Sequence, residues 1–101
     1  MSDAALTADP DRIIHEPARL KIMAILYVAR EADFTYLLRE TELTRGNLSV
    51  QLSRLEEAGY IRVAKMFVGK TPRTVAALTP AGKTEFIRYR AYLRGLLTAT
   101  D

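Results

Sequence analysis

At Gly59 the hydrophobic period of the chain changes from that of a helix to that of a strand. Upstream, Leu48, Leu52 and Leu55 recur on one helical face. Downstream, in "YIRVAKMFV", Ile61, Val63 and Phe67 alternate with Arg62, Ala64 and Met66, the period of a strand. Thr44 is placed to cap the start of the helix, and Gly59 sits where a left-handed residue closes one. "GKTP" then marks a turn and "RTVAALT" a return strand, although "GKTP" is not a two-residue hairpin signal. Any fold for this chain must therefore join a capped helix directly to a β-hairpin.

The flanking segments read as helices. In "ARLKIMAILYVA", Leu20, Met23, Ala24 and Tyr27 form one apolar stripe, and Ile22, Ile25, Leu26 and Ala29 another. A helix apolar on two sides is buried on two sides. Pro17 suits its first turn, and "DRIIH" before it reads as a short helix with Ile13 and Ile14 inward. "ADFTYLLRETE" carries a shorter helix with Thr35 as N-cap and Leu37 and Leu38 inward; Leu43 lies in the turn that follows. Thr79-Pro80 opens a last helix to about Leu97. The fold class is mainly α with a β-hairpin (α+β). Residues 1–10 are expected to be a flexible tail, 11–97 one domain, and 98–101 a frayed end.

The helix before Gly59 has an unusual outer face. Gly46, Asn47, Ser49, Val50, Ser53 and Arg54 lie opposite the leucines, where solvent-facing helices favour Glu, Lys and Gln. The DNA major groove, about 12 Å wide, admits a helix whose leading face is slim. Gly46 allows close approach to a phosphate backbone. Asn47 can pair with adenine, Arg45 or Arg54 with guanine or phosphate, and Thr44, Ser49 and Ser53 with phosphate or bases. Val50 can meet a thymine methyl. The bland alternative is a surface helix with a poor polar face. At the hairpin, Lys65, Lys70 and Arg73, with Thr71 and Thr74 between, suit the DNA backbone or minor groove. There the bland alternative is an edge strand kept soluble by cations. Charge placement agrees. Residues 60–94 hold eight bases and one acid, whereas residues 1–16 hold four acids and one base, in a chain of net charge +3.

The stretch "FTYLLRETELTRGNLSVQLSRLEEAGYI", the hairpin "KMFVGKTPRT" and the helix opening "LTPAGK" carry a family resemblance. The chain resembles the winged helix-turn-helix transcriptional regulators related to the MarR and ArsR groups, in a compact form that is almost all DNA-binding domain. The resemblance spans residues 12–97. It implies a homodimer on a pseudo-palindromic operator of double-stranded DNA. The helix at 44–58 is expected to read bases and the wing at 65–74 to touch backbone or minor groove. Two-fold dimers of this kind space their reading helices about 34 Å apart.

The last helix supports dimerisation on its own terms, because it has more apolar surface than a helix lying on a small core needs. Phe86, Tyr89, Tyr92, Leu93, Leu96 and Leu97 are expected to meet a partner together with Leu20, Met23 and Tyr27, the alternative being packing within one chain. Gly95 permits close helix approach.

Other chemistries find little support. With no cysteine and one histidine, His15, the chain departs from metal-sensing ArsR proteins, and neither a metal nor a cofactor is expected. It also lacks the long extra helices of larger MarR proteins, so whether a small-molecule effector exists stays open. No phosphate-binding glycine loop and no Ser-His-acid motif points to an enzyme, and Glu56-Glu57 reads as a solvated pair. No apolar run is long enough for a membrane span, and "MSDAALTADPDR" is not a secretory signal, which fits a cytoplasmic protein. The rival from another class is a winged-helix protein-interaction module without specific DNA binding, which should expose a larger apolar patch. RNA binding is disfavoured because the A-form major groove is too narrow for a helix.

Overall fold

A computed structural model describes residues 3–101. Helices α1 (Asp3–Thr7) and α2 (Pro17–Ala29) lead to a short strand β1 (Glu31–Asp33). Helices α3 (Phe34–Thr41) and α4 (Arg45–Glu57) follow. Strands β2 (Ile61–Val68) and β3 (Thr71–Leu78) form a hairpin, and helix α5 (Pro80–Ala99) closes the chain. The mainly helical fold with a basic hairpin after α4 is as the sequence predicts. The sheet has a third strand that the sequence did not announce: the order is β1-β3-β2, all antiparallel, with Asp33 opposite Val75.

The core lies where α2, α3, α4, α5 and the base of the sheet meet. Ile14, Ile22, Met23, Leu26, Leu37, Leu48, Leu55, Ile61, Phe86 and Tyr89 are all buried there. Each large aliphatic side chain so buried contributes about 1.5–3 kcal/mol relative to exposure. Both stripes of α2 are used, as Ile22, Met23 and Leu26 are all inside.

Several local expectations change. "DRIIH" forms a turn rather than a helix. Asp11 Oδ1 accepts from the Ile13 and Ile14 N–H groups, and its Oδ2 accepts from the Tyr60 hydroxyl. Burial raises the Asp11 pKa, but these hydrogen bonds outweigh it and hold the carboxyl below its usual range. The N-cap of α3 is Asp33, not Thr35: its Oδ1 accepts from the Tyr36 N–H at 2.8 Å. A carboxylate in β conformation just before Phe34 caps more strongly than a threonine already inside the turn. Residues Asp3–Thr7, in the expected tail, are helical and pack along α5, which itself extends to Ala99.

The hairpin loop is only two residues long, Gly69-Lys70, because Val68 pairs with Thr71. Gly69 has φ +64°, while Lys70 has none of the positive φ found at Arg30 and Glu42. Positive φ at the first loop position alone is what a type II′ turn requires, so glycine followed by any residue suffices.

Candidate nucleic-acid interface

The leucine stripe of α4 faces inward, with Leu48, Leu52 and Leu55 at most 4% exposed. That fixes which side of the helix faces out. Thr44, Arg45, Gly46, Asn47, Ser49, Val50, Ser53 and Arg54 are all exposed, as their spacing predicts. Thr44 Oγ1 accepts from the Asn47 N–H at 3.1 Å and so starts the helix. At the other end the Gly59 N–H donates to Glu56 O at 2.9 Å and the Tyr60 N–H to Leu55 O at 3.0 Å. With Gly59 at φ +82°, this is a Schellman closure. Upstream, α3 ends in a tight turn at Glu42, φ +57°. Inside it the buried Thr41 hydroxyl donates to Leu37 O at 2.6 Å, and Leu43 is half-buried.

Glu56 is not merely solvated. Its Oε2 accepts from the Val63 N–H at 2.9 Å, tying the end of α4 to an otherwise open strand edge. Between α4 and the hairpin runs a groove of about 460 Å³ lined by Arg45, Ser49, Ser53, Lys65 and Thr74, among others. Lys65 and Thr74 are directly opposed across the hairpin. Strand alternation therefore puts these two on the α4 side and Thr71 and Arg73 on the other. The structure thus joins Lys65 and Thr74 to the helix face but does not bring Arg73 there. Arg73 Nε lies 3.5 Å from Asp33 Oδ2, so the guanidinium braces β3 against the start of α3. Lys70 sits exposed in the loop.

Three features of this surface were not anticipated. Arg45 stacks over the Phe34 ring, 5.8 Å from its centroid, which holds the cation at the mouth of the groove. Met66, Phe67 and Val68 near the hairpin tip are exposed at 42%, 72% and 57%. Finally, Asn47 is not free: its Oδ1 accepts from Gln51 Nε2 at 2.9 Å, and Gln51 Oε1 accepts from Arg19 Nη1 at 2.8 Å. Arg19 Nε in turn donates to Ile13 O at 2.6 Å. The i, i+4 spacing of Asn47 and Gln51 was readable in sequence; the reach of Arg19 from α2 was not. Lys21, also on α2, shares a shallow groove with Asn47.

The predicted dimer residues divide. Met23, Phe86 and Tyr89 belong to the core of the single chain, at 0%, 6% and 3% exposure, which corrects the expectation that they meet a partner. The α2 and α5 helices pack on each other, with the Tyr27 and Phe86 rings 5.0 Å apart, so part of this apolar surface is covered within the chain. Leu20, Tyr27, Tyr92, Leu93 and Leu96 are half-buried, and Leu97 is 67% exposed. Ile87 is also exposed, but it lies on a different face of α5 from Tyr92, Leu93 and Leu96. His15 Nδ1 is hydrogen-bonded to the Tyr89 hydroxyl at 2.8 Å, beside Tyr92.

A capped helix pair joined by a tight turn, followed by an antiparallel hairpin with a cationic tip, defines a winged helix-turn-helix. The chain belongs to the winged helix DNA-binding domain family, whose model matches residues 18–97. It is 33% identical to an uncharacterised protein of Methanocaldococcus jannaschii over 78 residues, 77% of this chain and 85% of that one. The transcriptional regulator homologue of Pyrococcus horikoshii OT3 superposes with a TM-score of 0.85 at 29% identity, covering 98% of this chain and 95% of that chain. A MarR-family transcriptional regulator from Silicibacter pomeroyi shares the fold at a TM-score of 0.70 and 21% identity, covering 97% and 65%. Family and fold are those of DNA-binding transcription regulators rather than enzymes. No helix among the described residues is long and apolar enough to cross a membrane.

Proposed function

We propose that the chain acts as a homodimeric transcriptional regulator that reads a pseudo-palindromic operator, with α4 in the major groove and the hairpin tip on the backbone or minor groove. The observation that carries this reading is the outer face of α4. It is continuous through one groove with Lys65 and Thr74, and it presents no apolar side chain larger than Val50. Arg45, Arg54, Lys65 and Lys70 supply charge for counterion release; small hydroxyl and amide groups supply base contacts. Leu97 and the half-buried Tyr92, Leu93 and Leu96 of α5 are the surface for the second copy. Selection from a random duplex pool at two salt concentrations tests the reading. An enriched inverted repeat with steep salt dependence is expected; absence of binding at low salt overturns it.

One observation favours the rival protein-interaction module. Phe67 on the Lys65 side of the hairpin tip, and Met66 and Val68 on the other, are exposed apolar side chains of the kind a protein partner covers. Under the DNA reading, Phe67→Ser leaves the selected sequence unchanged. If Phe67→Ser instead abolishes function in cells while DNA affinity stays intact, the tip docks on protein.

A further inference from the structure

We propose that Arg19 and Gln51 are positioning residues that lock the Asn47 amide with its donor outward, so that α4 reads an acceptor edge, guanine first, at the base pair Asn47 faces. This rests on the DNA-reading role of α4. The orientation follows from hydrogen-bond polarity. A guanidinium has only donors, so the Gln51 atom facing Arg19 Nη1 is the carbonyl oxygen. The other end of the Gln51 amide is then the donor, Nε2, and the Asn47 atom that receives it is Oδ1. One arginine thus fixes two amides in series.

The anchor is firm. The Arg19 side chain is only 13% exposed, and its Nε is held by the Ile13 carbonyl. Gln51 is half-buried, and only Asn47 at the end of the chain is exposed. Asn47 Nδ2, with two N–H donors, makes no hydrogen bond among the described residues. Guanine offers two adjacent acceptors, O6 and N7, in the major groove, whereas adenine offers one acceptor beside a donor. An asparagine free to rotate favours adenine through both amide atoms. An asparagine whose oxygen is turned toward Gln51, with its NH2 group outward, favours guanine. The expected preference at that position, guanine over adenine, is about tenfold.

The test uses the operator selected by the unmodified chain. The base pair facing Asn47 is found as the one whose preference disappears in Asn47→Ala. Affinities are then measured for the four duplexes differing only there. Gln51→Glu keeps the acceptor for Arg19 but replaces the donor toward Asn47 with a second acceptor. The Asn47 amide should then turn over, donate to Glu, and present Oδ1 outward. The guanine preference should be replaced by preference for a base with an outward amino group, adenine or cytosine. Arg19→Met should flatten the preference among all four.

Retained guanine preference in Gln51→Glu, or adenine preference in the unmodified chain, overturns the proposal and leaves the DNA reading intact. So does an Asn47→Ala chain whose preferences are all unchanged. A chain that enriches no sequence overturns both. Uniform weakening over all four duplexes in both variants, with the ranking kept, makes Arg19 and Gln51 structural only and also overturns it. Because each comparison is made within one protein, the added charge of Gln51→Glu cancels.

Discussion

Helix α4 and the distal half of the β2–β3 hairpin are adjacent parts of one surface, yet they are held in opposite ways. The helix rests on three buried leucines and is capped at both ends. It is further tied to β2 through Glu56 and to α2 through Arg19 and Gln51. Beyond the Ala64–Val75 pair the hairpin has only its own ladder and the Arg73–Asp33 ion pair, and Lys65 through Arg73 are all exposed. The contrast suits a division of labour. Base readout needs side chains fixed to a fraction of an ångström, while backbone contact needs reach and charge. A rigid helix supplies the first and a solvent-exposed two-residue turn the second.

The sharpest way to break this comparison is to remove an apolar side chain from each region. Leu52→Ala removes a side chain that is 4% exposed and should cost about 2–5 kcal/mol, measured by denaturant unfolding. Phe67→Ala removes a larger side chain, but one 72% exposed, and should change stability by no more than about 0.5 kcal/mol. If Phe67→Ala costs as much as Leu52→Ala, the tip is packed and the contrast fails.

The joint between the regions gives the next effect. The Tyr60 carbonyl accepts from the Thr79 N–H at 3.1 Å, and the Thr79 hydroxyl donates to Gly59 O at 2.6 Å. In the first turn of α5, Gly82 packs directly under Tyr60. A Cβ there would collide with the Tyr60 backbone carbonyl and carbon. In an exposed helix interior Gly→Ala gains about 1 kcal/mol. Here the sign should reverse, with Gly82→Ala costing about 2 kcal/mol, since backbone must move. A stabilised Gly82→Ala chain would show that α5 is free to slide away from the α4–β2 joint.

What the sequence revealed follows the same division. The α4 pattern is local: a cap, a leucine repeat and a glycine within 16 residues, Thr44 to Gly59. Thr79-Pro80 is equally local and stands as predicted. Strand β1 has three residues and no pattern of its own, and it exists only because β3 offers Ala77, Ala76 and Val75 as partners. The relay from Arg19 to Asn47 joins residues on separate helices, and no spacing encodes its Arg19–Gln51 link. Met23, Phe86 and Tyr89 misled for a related reason. A surplus of apolar residues on a helix shows that something covers them, but whether the cover is the same chain or a second copy depends on tertiary packing.

Thr44→Ala sharpens the comparison at smaller scale. The Thr44 hydroxyl oxygen accepts from the Asn47 N–H, so its loss should cost about 1 kcal/mol and lower Tm by about 4–8 °C. Thr71→Ala, which removes the same group from the hairpin, should leave Tm unchanged. Equal shifts would mean that the cap is not what defines the start of α4.

The smallest expected effect on stability separates the cations. Arg73 is engaged with Asp33, whereas Lys70 sits in the loop with no ion pair among the described residues. Arg73→Ala should therefore cost about 0.2–1 kcal/mol, since the bridge is partly exposed. Lys70→Ala should leave stability unchanged while reducing the slope of log affinity against log salt by about one. The two measurements must be made on the same variants, because weaker binding alone does not distinguish a lost phosphate contact from a loosened hairpin. If Arg73→Ala lowers the salt slope and Lys70→Ala does not, the DNA backbone runs along the β1 side of the hairpin. The groove shared by Lys65, Thr74 and α4 would then not be its track.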